Sequence, residues 1–299
     1  MSKPCSLLPI PYSLFPNIIA YRTLICPIST KKSRDARLER PMTQRGKKTL
    51  YTNHYTLIIQ KVASLYLIPT VLSDSPLDNV LPSNNADVIR KVKVFIVENI
   101  RTARRFLKQV DKSINIDELQ FFELNQHTDL KQIGSYLDPI KAGKDIGIIS
   151  EAGCPAIADP GADVVAIAQR RGIKVVPLVG PSSILMSLMA SGFNGQSFAF
   201  QGYLPIEKAD RSTRLKQLEK RIYSEHQTQI FIETPYRNMQ MLEELCRTLQ
   251  GQTRLCVAAD ITAENEYIRT MTIGDWKHLI SQGKQPDLHK RPCIFLIYK

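Results

Sequence analysis

The stretch IGIISEAGCPAIADPGADVVAIAQRRGIKVVPLVGPSSILMSLMASGF, residues 146–193, decides how this chain folds. Its first apolar run, Ile146–Ile149, ends in Ser150, Glu151, Ala152 and Gly153, which reads as a buried strand meeting a glycine turn. A second turn, Asp159-Pro160-Gly161, opens a helix with Val164, Val165, Ile167 and Ala168 at helical spacing, and Gly172 stops it. Residues 173–179 form another strand. It runs into Gly180-Pro181-Ser182-Ser183, where either serine can cap a new helix.

Strand, loop, helix, strand, loop, helix in about fifty residues implies a largely parallel sheet, hence an α/β fold. In such sheets ligands lie where loops leave the carboxyl ends of strands, and both glycine-bearing loops sit there. A lone glycine turn is usually only a turn. Two of them, one turn of the chain apart and rich in Pro and small polar residues, predict a ligand cleft.

Working outward, residues 65–70 read as the first strand, ended by Pro69, with a loop over 73–85. The apolar run 88–97 follows, then a helix over 102–110 whose Arg104, Arg105 and Lys108 read as a solvated basic face. A short strand over 121–124 and a helix over 130–142, closed by Gly143, lead back to the central stretch. Downstream, a second α/β block has strands over 198–203, 229–232, 254–259, 268–273 and 293–298, and helices over 207–225, 239–249 and 276–280. Some of these strands follow one another with no helix between, which predicts an antiparallel part and so a mixed sheet.

The length of 299 residues suits about two domains. We divide the body into 63–178 and 179–299. Residues 1–62 hold eleven Lys/Arg against two acids, a net +9 of the whole chain's +12, which leaves only +3 for the body. The high pI is therefore no general nucleic-acid surface. This basic, aperiodic extension is expected to be disordered. Three readings compete for it: an RNA-touching arm, a targeting peptide, or an upstream stretch outside the native protein. We favour the third, because a well-patterned strand begins only at Leu65. The six Cys show no CxxC spacing and the five His are scattered, so no metal site is expected. No run of eighteen apolar residues suggests a membrane span. Free cysteines suit a reducing, cytoplasmic location.

The strings SEAGCPAIADPG (150–161), VGPSSILMSLMASG (179–192), FAFQGYLP (198–205) and IFIETPYRN (230–238) resemble the tetrapyrrole methylase-like superfamily. Within it they are most similar to the small-subunit ribosomal RNA (cytidine 2′-O)-methyltransferase family, over about residues 64–299. The resemblance implies S-adenosylmethionine as donor, held in a cleft between two α/β domains, and a homodimer. Carried over by motif, Pro69, Ala152, Gly153, Cys154, Ile157, Ser182, Ser183, Ile232 and Ile261 are the expected donor-binding positions. Glu151 adjoins them without an assigned role.

A ribose 2′-hydroxyl is a poor nucleophile and asks for a general base. The candidates are Glu98, Glu233 and Asp260, unranked. Arg101 and Arg237 are candidate phosphate grips, with ion pairing as the structural alternative. Departures fall mainly on the acceptor side. Where the family has Glu-Asp-Thr-Arg, this chain has Glu98-Asn99-Ile100-Arg101, and Arg-Glu-Leu-Thr-Lys becomes Ala259-Asp260-Ile261-Thr262-Ala263. Asp-Ala-Gly-Thr-Pro becomes Glu151-Ala152-Gly153-Cys154-Pro155, and Pro-Ile-Gly-Asn becomes Val71-Leu72-Ser73-Asp74. The expected activity is methyl transfer to a ribose of ribosomal RNA or the small ribosomal subunit. The alternatives are the same scaffold acting on a small acceptor such as a tetrapyrrole, and a catalytically silent RNA- or ribosome-binding protein.

Overall fold

Five strands in register around a central one organise the first half of the body. In this computed structural model, residues 62–125 and 128–299 are described. The extension read over 1–62 lies, all but Val62, outside them. Strands β1 (Ser64–Ile68), β2 (Val94–Val97), β3 (Gln120–Glu123), β4 (Ile146–Ile149) and β5 (Lys174–Pro177) form a parallel sheet in the order β3-β2-β4-β1-β5. Alternate residues face opposite layers. Leu65, Ile146 and Ile148 join Val164 and Ala168 of α6 (Gly161–Arg170) on one face. Ile68, Phe95 and Ile149 pack with Ile89 of α2 (Ser83–Lys91) and with Phe106 and Leu107 of α3 (Ile100–Val110) on the other.

Two local expectations are corrected. The segment 73–85, read as loop, carries the short helix α1 (Leu77–Val80) and the start of α2. Ser83, Asn84 and Asn85 lack an apolar period, which hid that start; the buried Asn85 spends its side chain on the Val179 carbonyl, 2.9 Å away. The single helix read over 130–142 is broken into α4 (Leu130–Ile133), a 3-10 turn (Gly134–Leu137) and α5 (Asp138–Lys141). Pro139, with no N–H to give, suits a helix start rather than an interior.

The second half is a mixed sheet in the order β6-β7-β10-β8-β9: β6 (Phe198–Tyr203), β7 (Thr228–Ile232), β10 (Cys293–Tyr298), β8 (Arg254–Ala259) and β9 (Tyr267–Thr272). Only β6 and β7 run parallel. The connection α8 (Lys208–Ser224) makes that crossover; α9 (Asn238–Thr248) and α10 (Ile273–Ser281) share its layer around the fully buried Trp276. Helix α7 (Ser183–Ser191) covers the opposite face, where Leu188 meets Ile230, Ala258 and Ile294. Leu72, from the loop after β1, packs into the same cluster. Among the described residues no helix is long and apolar enough to cross a membrane.

Candidate functional site

Three loops leave the first sheet at its carboxyl edge and stack into one wall. Those after β1 and β4 are joined by Thr70 N–H donating to the Gly153 carbonyl, at 2.9 Å. The loops after β4 and β5 meet where the Cys154 thiol donates to the Pro181 carbonyl, at 3.3 Å. Gly180 lies so close to Pro69 that an added Cβ would sit 2.2 Å from the proline ring. Gly153 is held at φ +69, and a Cβ there would meet Leu72 at 2.9 Å and the Pro181 carbonyl at 3.3 Å. Glycine is needed at both positions for close backbone approach, and at Gly153 also for its left-handed φ.

Against this wall lies a cavity of about 260 Å³, closed on its far side by the second sheet. Of the predicted donor positions, Ala152, Ser183, Ile232 and Ile261 line it. Pro69, Gly153, Cys154 and Ser182 are not among the lining residues; they belong to the loops whose contacts make the wall. Ser182 caps α7, its hydroxyl accepting from Leu185 N–H at 3.4 Å, and Ser183, the first residue of that helix, lines the hollow. Ile157 is 54% exposed and is not among the lining residues. Sequence reading missed Leu72, Tyr203, Ala258 and Ile294, and with them Pro235, Pro292 and Cys293, which also line it. Ala258 and Ile294 sit within buried strands and carry no turn signature. Tyr203, 60% exposed at the end of β6, was legible only as part of a turn.

The chain is strained in one loop of each half. Ala156 (φ 65) and Ala158 (φ 62) occupy the left-handed region in the β4 loop, as do Asp260 (φ 48) and Thr262 (φ 78) in the loop after β8. Such conformations cost on the order of 1–2 kcal/mol each for residues other than glycine. Hydrogen bonds hold them. Asp159 accepts from the Ala156 and Gly161 amides. The Thr262 amide donates to Glu266 at 2.8 Å, and its hydroxyl meets both Ser73 and Ser75 at 3.0 Å. Ser73 and Ser75 also donate to the Ile261 and Thr262 carbonyls, at 2.9 and 2.7 Å. Hence two of the four stretches that depart from the family pattern, 71–74 and 259–263, are stapled to each other through Ser73 and the neighbouring Ser75.

The three candidate carboxylates have different surroundings. Glu233 is buried and accepts from Arg237 at 2.6 Å and from the Thr234 amide. Asp260 accepts from Arg291 at 2.6 Å and from Asn265. Glu98, at the end of β2, is in no ion pair with an arginine among the described residues, and the hydrogen bond it accepts there comes from the Glu151 amide at 3.4 Å. Burial raises its pKa above the ordinary carboxylate value, and the nearby charges of Asp159 and Glu151 push the same way, against that amide. Arg237 is thus engaged by Glu233, whereas Arg101 stands exposed at the start of α3. Cys293, on the cavity wall, is pushed up to about 12 by burial, so its thiol stays protonated.

Comparison with known proteins adds four findings. The family profile for tetrapyrrole (corrin/porphyrin) methylases matches residues 83–277. A Vibrio cholerae protein named ribosomal RNA small subunit methyltransferase I is 30% identical over 235 residues, covering 78% of this chain and 76% of its own. Its namesake from Bacillus subtilis is 31% identical over 235 residues, covering 77% and 73%. Among solved structures, the methyltransferase CobJ aligns with a TM-score of 0.52 at 13% identity, over 79% of this chain and 94% of its own, which speaks to the fold.

Proposed function

We propose, from the premise that this chain belongs to the tetrapyrrole (corrin/porphyrin) methylase family, that it is an S-adenosylmethionine-dependent methyltransferase acting on a ribose 2′-oxygen of small-subunit ribosomal RNA. The observation that carries this reading is the wall of three strand-end loops, with Gly153 and Gly180 pressed against their neighbours, facing an apolar cavity. S-adenosylmethionine, when bound, supplies a methyl group on an electrophilic sulfonium. The residues present fit it: a Cβ on Gly153 would crowd the hollow, and the lining is apolar apart from Ser183, Glu233 and backbone. Ile232, Ala258 and Ile261 exclude water; the first turn of α7 offers amides to a carboxylate. Methyl transfer is chiefly a matter of holding two reactants in line.

Glu98 is the base of choice among the three candidates. Glu233 and Asp260 are each held by an arginine, whereas Glu98 lines a small hollow with Asp159 and Gly161 and its carboxylate accepts from the Glu151 amide; burial raises its pKa, which suits a proton acceptor. The halves 63–178 and 179–299 act as two jaws on the donor. A second copy of the chain covers the outer face of α7, where Leu185 (50% exposed) and Met189 (81%) stand one turn apart. An RNA acceptor of this kind places the work in the cytoplasm.

The test is calorimetric titration with S-adenosylmethionine, followed by mapping of ribose methylation in ribosomal RNA from a deletion strain. Saturable heat and one missing 2′-O-methyl are expected. No heat at millimolar donor sinks the donor pocket; an unchanged methylation map sinks the acceptor.

A further inference from the structure

A second hollow, of about 190 Å³, lies back to back with the donor cavity. The partition between them is one residue thick. Val71 and Glu151 face the second hollow, while their chain neighbours Leu72 and Ala152 face the first. Consecutive Cα atoms are 3.8 Å apart. The two hollows therefore share the loops after β1 and β4 as a common wall.

The second hollow is polar where the first is apolar. Its outer side is a single stripe of α3: Thr102, Arg105 and Gln109, spaced three and four residues apart and so on one helix face. Phe106, buried on the same face, forms the floor. Opposite stands Glu151, its carboxylate fixed by the Thr102 hydroxyl at 2.6 Å. Arg105 and Gln109 are exposed, and no hydrogen bond or ion pair of theirs is found among the described residues. Helix α3 bears four cations, Arg101, Arg104, Arg105 and Lys108, and no carboxylate. Arg104 lies over the Phe121 ring, 5.4 Å from its centre, and Lys108 donates to the Lys112 carbonyl. Arg101 and Arg105 are left to meet an anion. In the sequence this helix read as a merely solvated face.

We propose that this hollow seats one nucleotide of the acceptor RNA, with Arg105 on a flanking phosphate and Gln109 and the Glu151 carboxylate on the edge of the base. The seat rests on the reading of the chain as an RNA methyltransferase and deepens it by naming how the acceptor is held. Arginine pairs with phosphate oxygens by parallel N–H donors, and a carboxylate accepts from an exocyclic amine such as that of cytosine. The volume argues for a single base. At about 190 Å³ it is smaller than the 260 Å³ hollow assigned to the donor, as a base is smaller than S-adenosylmethionine. Position argues the same way. A nucleotide here presents its ribose at the partition, beside the Glu151 amide that also touches Glu98.

The experiment uses the full chain, S-adenosylmethionine and small-subunit ribosomal RNA transcribed in vitro. Arg105→Ala and Gln109→Ala change exposed side chains, and Arg104→Ala is the control on the neighbouring face. Arg105→Ala is expected to raise KM for RNA about tenfold and to lower the slope of log affinity against log salt by about one, as loss of one phosphate contact does. Gln109→Ala should bring methylation of sites differing in the target base to within about tenfold of the preferred site. Donor affinity and melting temperature should stay as in the wild type, which separates a contact with RNA from a structural role. Wild-type activity with KM, salt slope and base preference unchanged in both variants overturns the seat alone. Wild-type protein that binds donor but methylates neither the free RNA nor assembled small ribosomal subunits overturns the acceptor class, and the seat with it.

Discussion

The thiol of Cys154 points at the Pro181 carbonyl, 3.3 Å away, so the two glycine-bearing turns that stand 26 and 27 residues apart in the chain are in direct contact. Neither turn is then free to move without the other. The same wall includes Pro69, pressed against Gly180, so three separate loops act as one surface.

Gly153→Ala tests that surface. The new methyl would stand 2.9 Å from Leu72, a side chain on the cavity wall, and the backbone would keep a φ of +69. Left-handed backbone costs an alanine about 1–2 kcal/mol, which a folded domain survives. Leu72 is pushed into the hollow, and the donor dissociation constant in calorimetry should rise at least about tenfold. Unaltered affinity in a variant with a lowered melting point would mean the donor lies elsewhere.

Glu98→Gln should reveal the base. The raised pKa means the proton-accepting form exists only above a value higher than the ordinary 4.5, so kcat/KM should fall as pH drops through that shifted value. The variant should lose this acid limb and about 10²- to 10⁴-fold in rate. Stability runs the other way. A folded pKa above the unfolded one makes the ionised carboxylate a burden once pH rises through the folded value. At neutral pH the glutamine variant should therefore melt no lower than wild type. An intact acid limb in a folded Glu98→Gln protein excludes Glu98 as the base.

Arg237→Ala should behave as a stability variant. Glu233 has only 2% of its side chain exposed, and removing its partner leaves a buried charge unpaired. Breaking such a pair costs on the order of 3–5 kcal/mol. Denaturant titration should show a loss of that order, and Glu233→Gln in the same chain should recover part of it. A fully stable Arg237→Ala protein with a raised KM for RNA would instead make Arg237 a phosphate grip.

Leu185→Glu with Met189→Glu places two charges on the exposed apolar stripe of α7. Light scattering should give a dimer for the wild type and a monomer for the variant, with the helical content unchanged. A monomeric wild type refutes the pairing.

The glycine punctuation made the first sheet readable, because each parallel strand ends in a loop that must turn at once. The antiparallel pairing of β8 with β9 was readable from two strands with no helix between them; the pairing of β10 with β7 and β8 was not. The partners of the carboxylates were not. Arg291 meets Asp260 from 31 residues away, and no local pattern encodes such a pair. Glu233 and Arg237 were visible as an i, i+4 pair, yet spacing alone does not say whether an arginine faces a glutamate or a phosphate. The polar staple of Ser73 and Ser75 on Thr262 escaped for the same reason: it spans nearly 190 residues and uses side chains common in any loop.

The place of β1 has a consequence for biosynthesis. It is the earliest strand of the described chain, yet it lies between β4 and β5, whose paired residues come 81 or more positions later. At about 5–20 residues per second of translation, this strand waits on the order of ten seconds with both edges bare. Nascent chains stalled before Ile146 should therefore recruit chaperones, and release should coincide with emergence of the strand ending at Pro177.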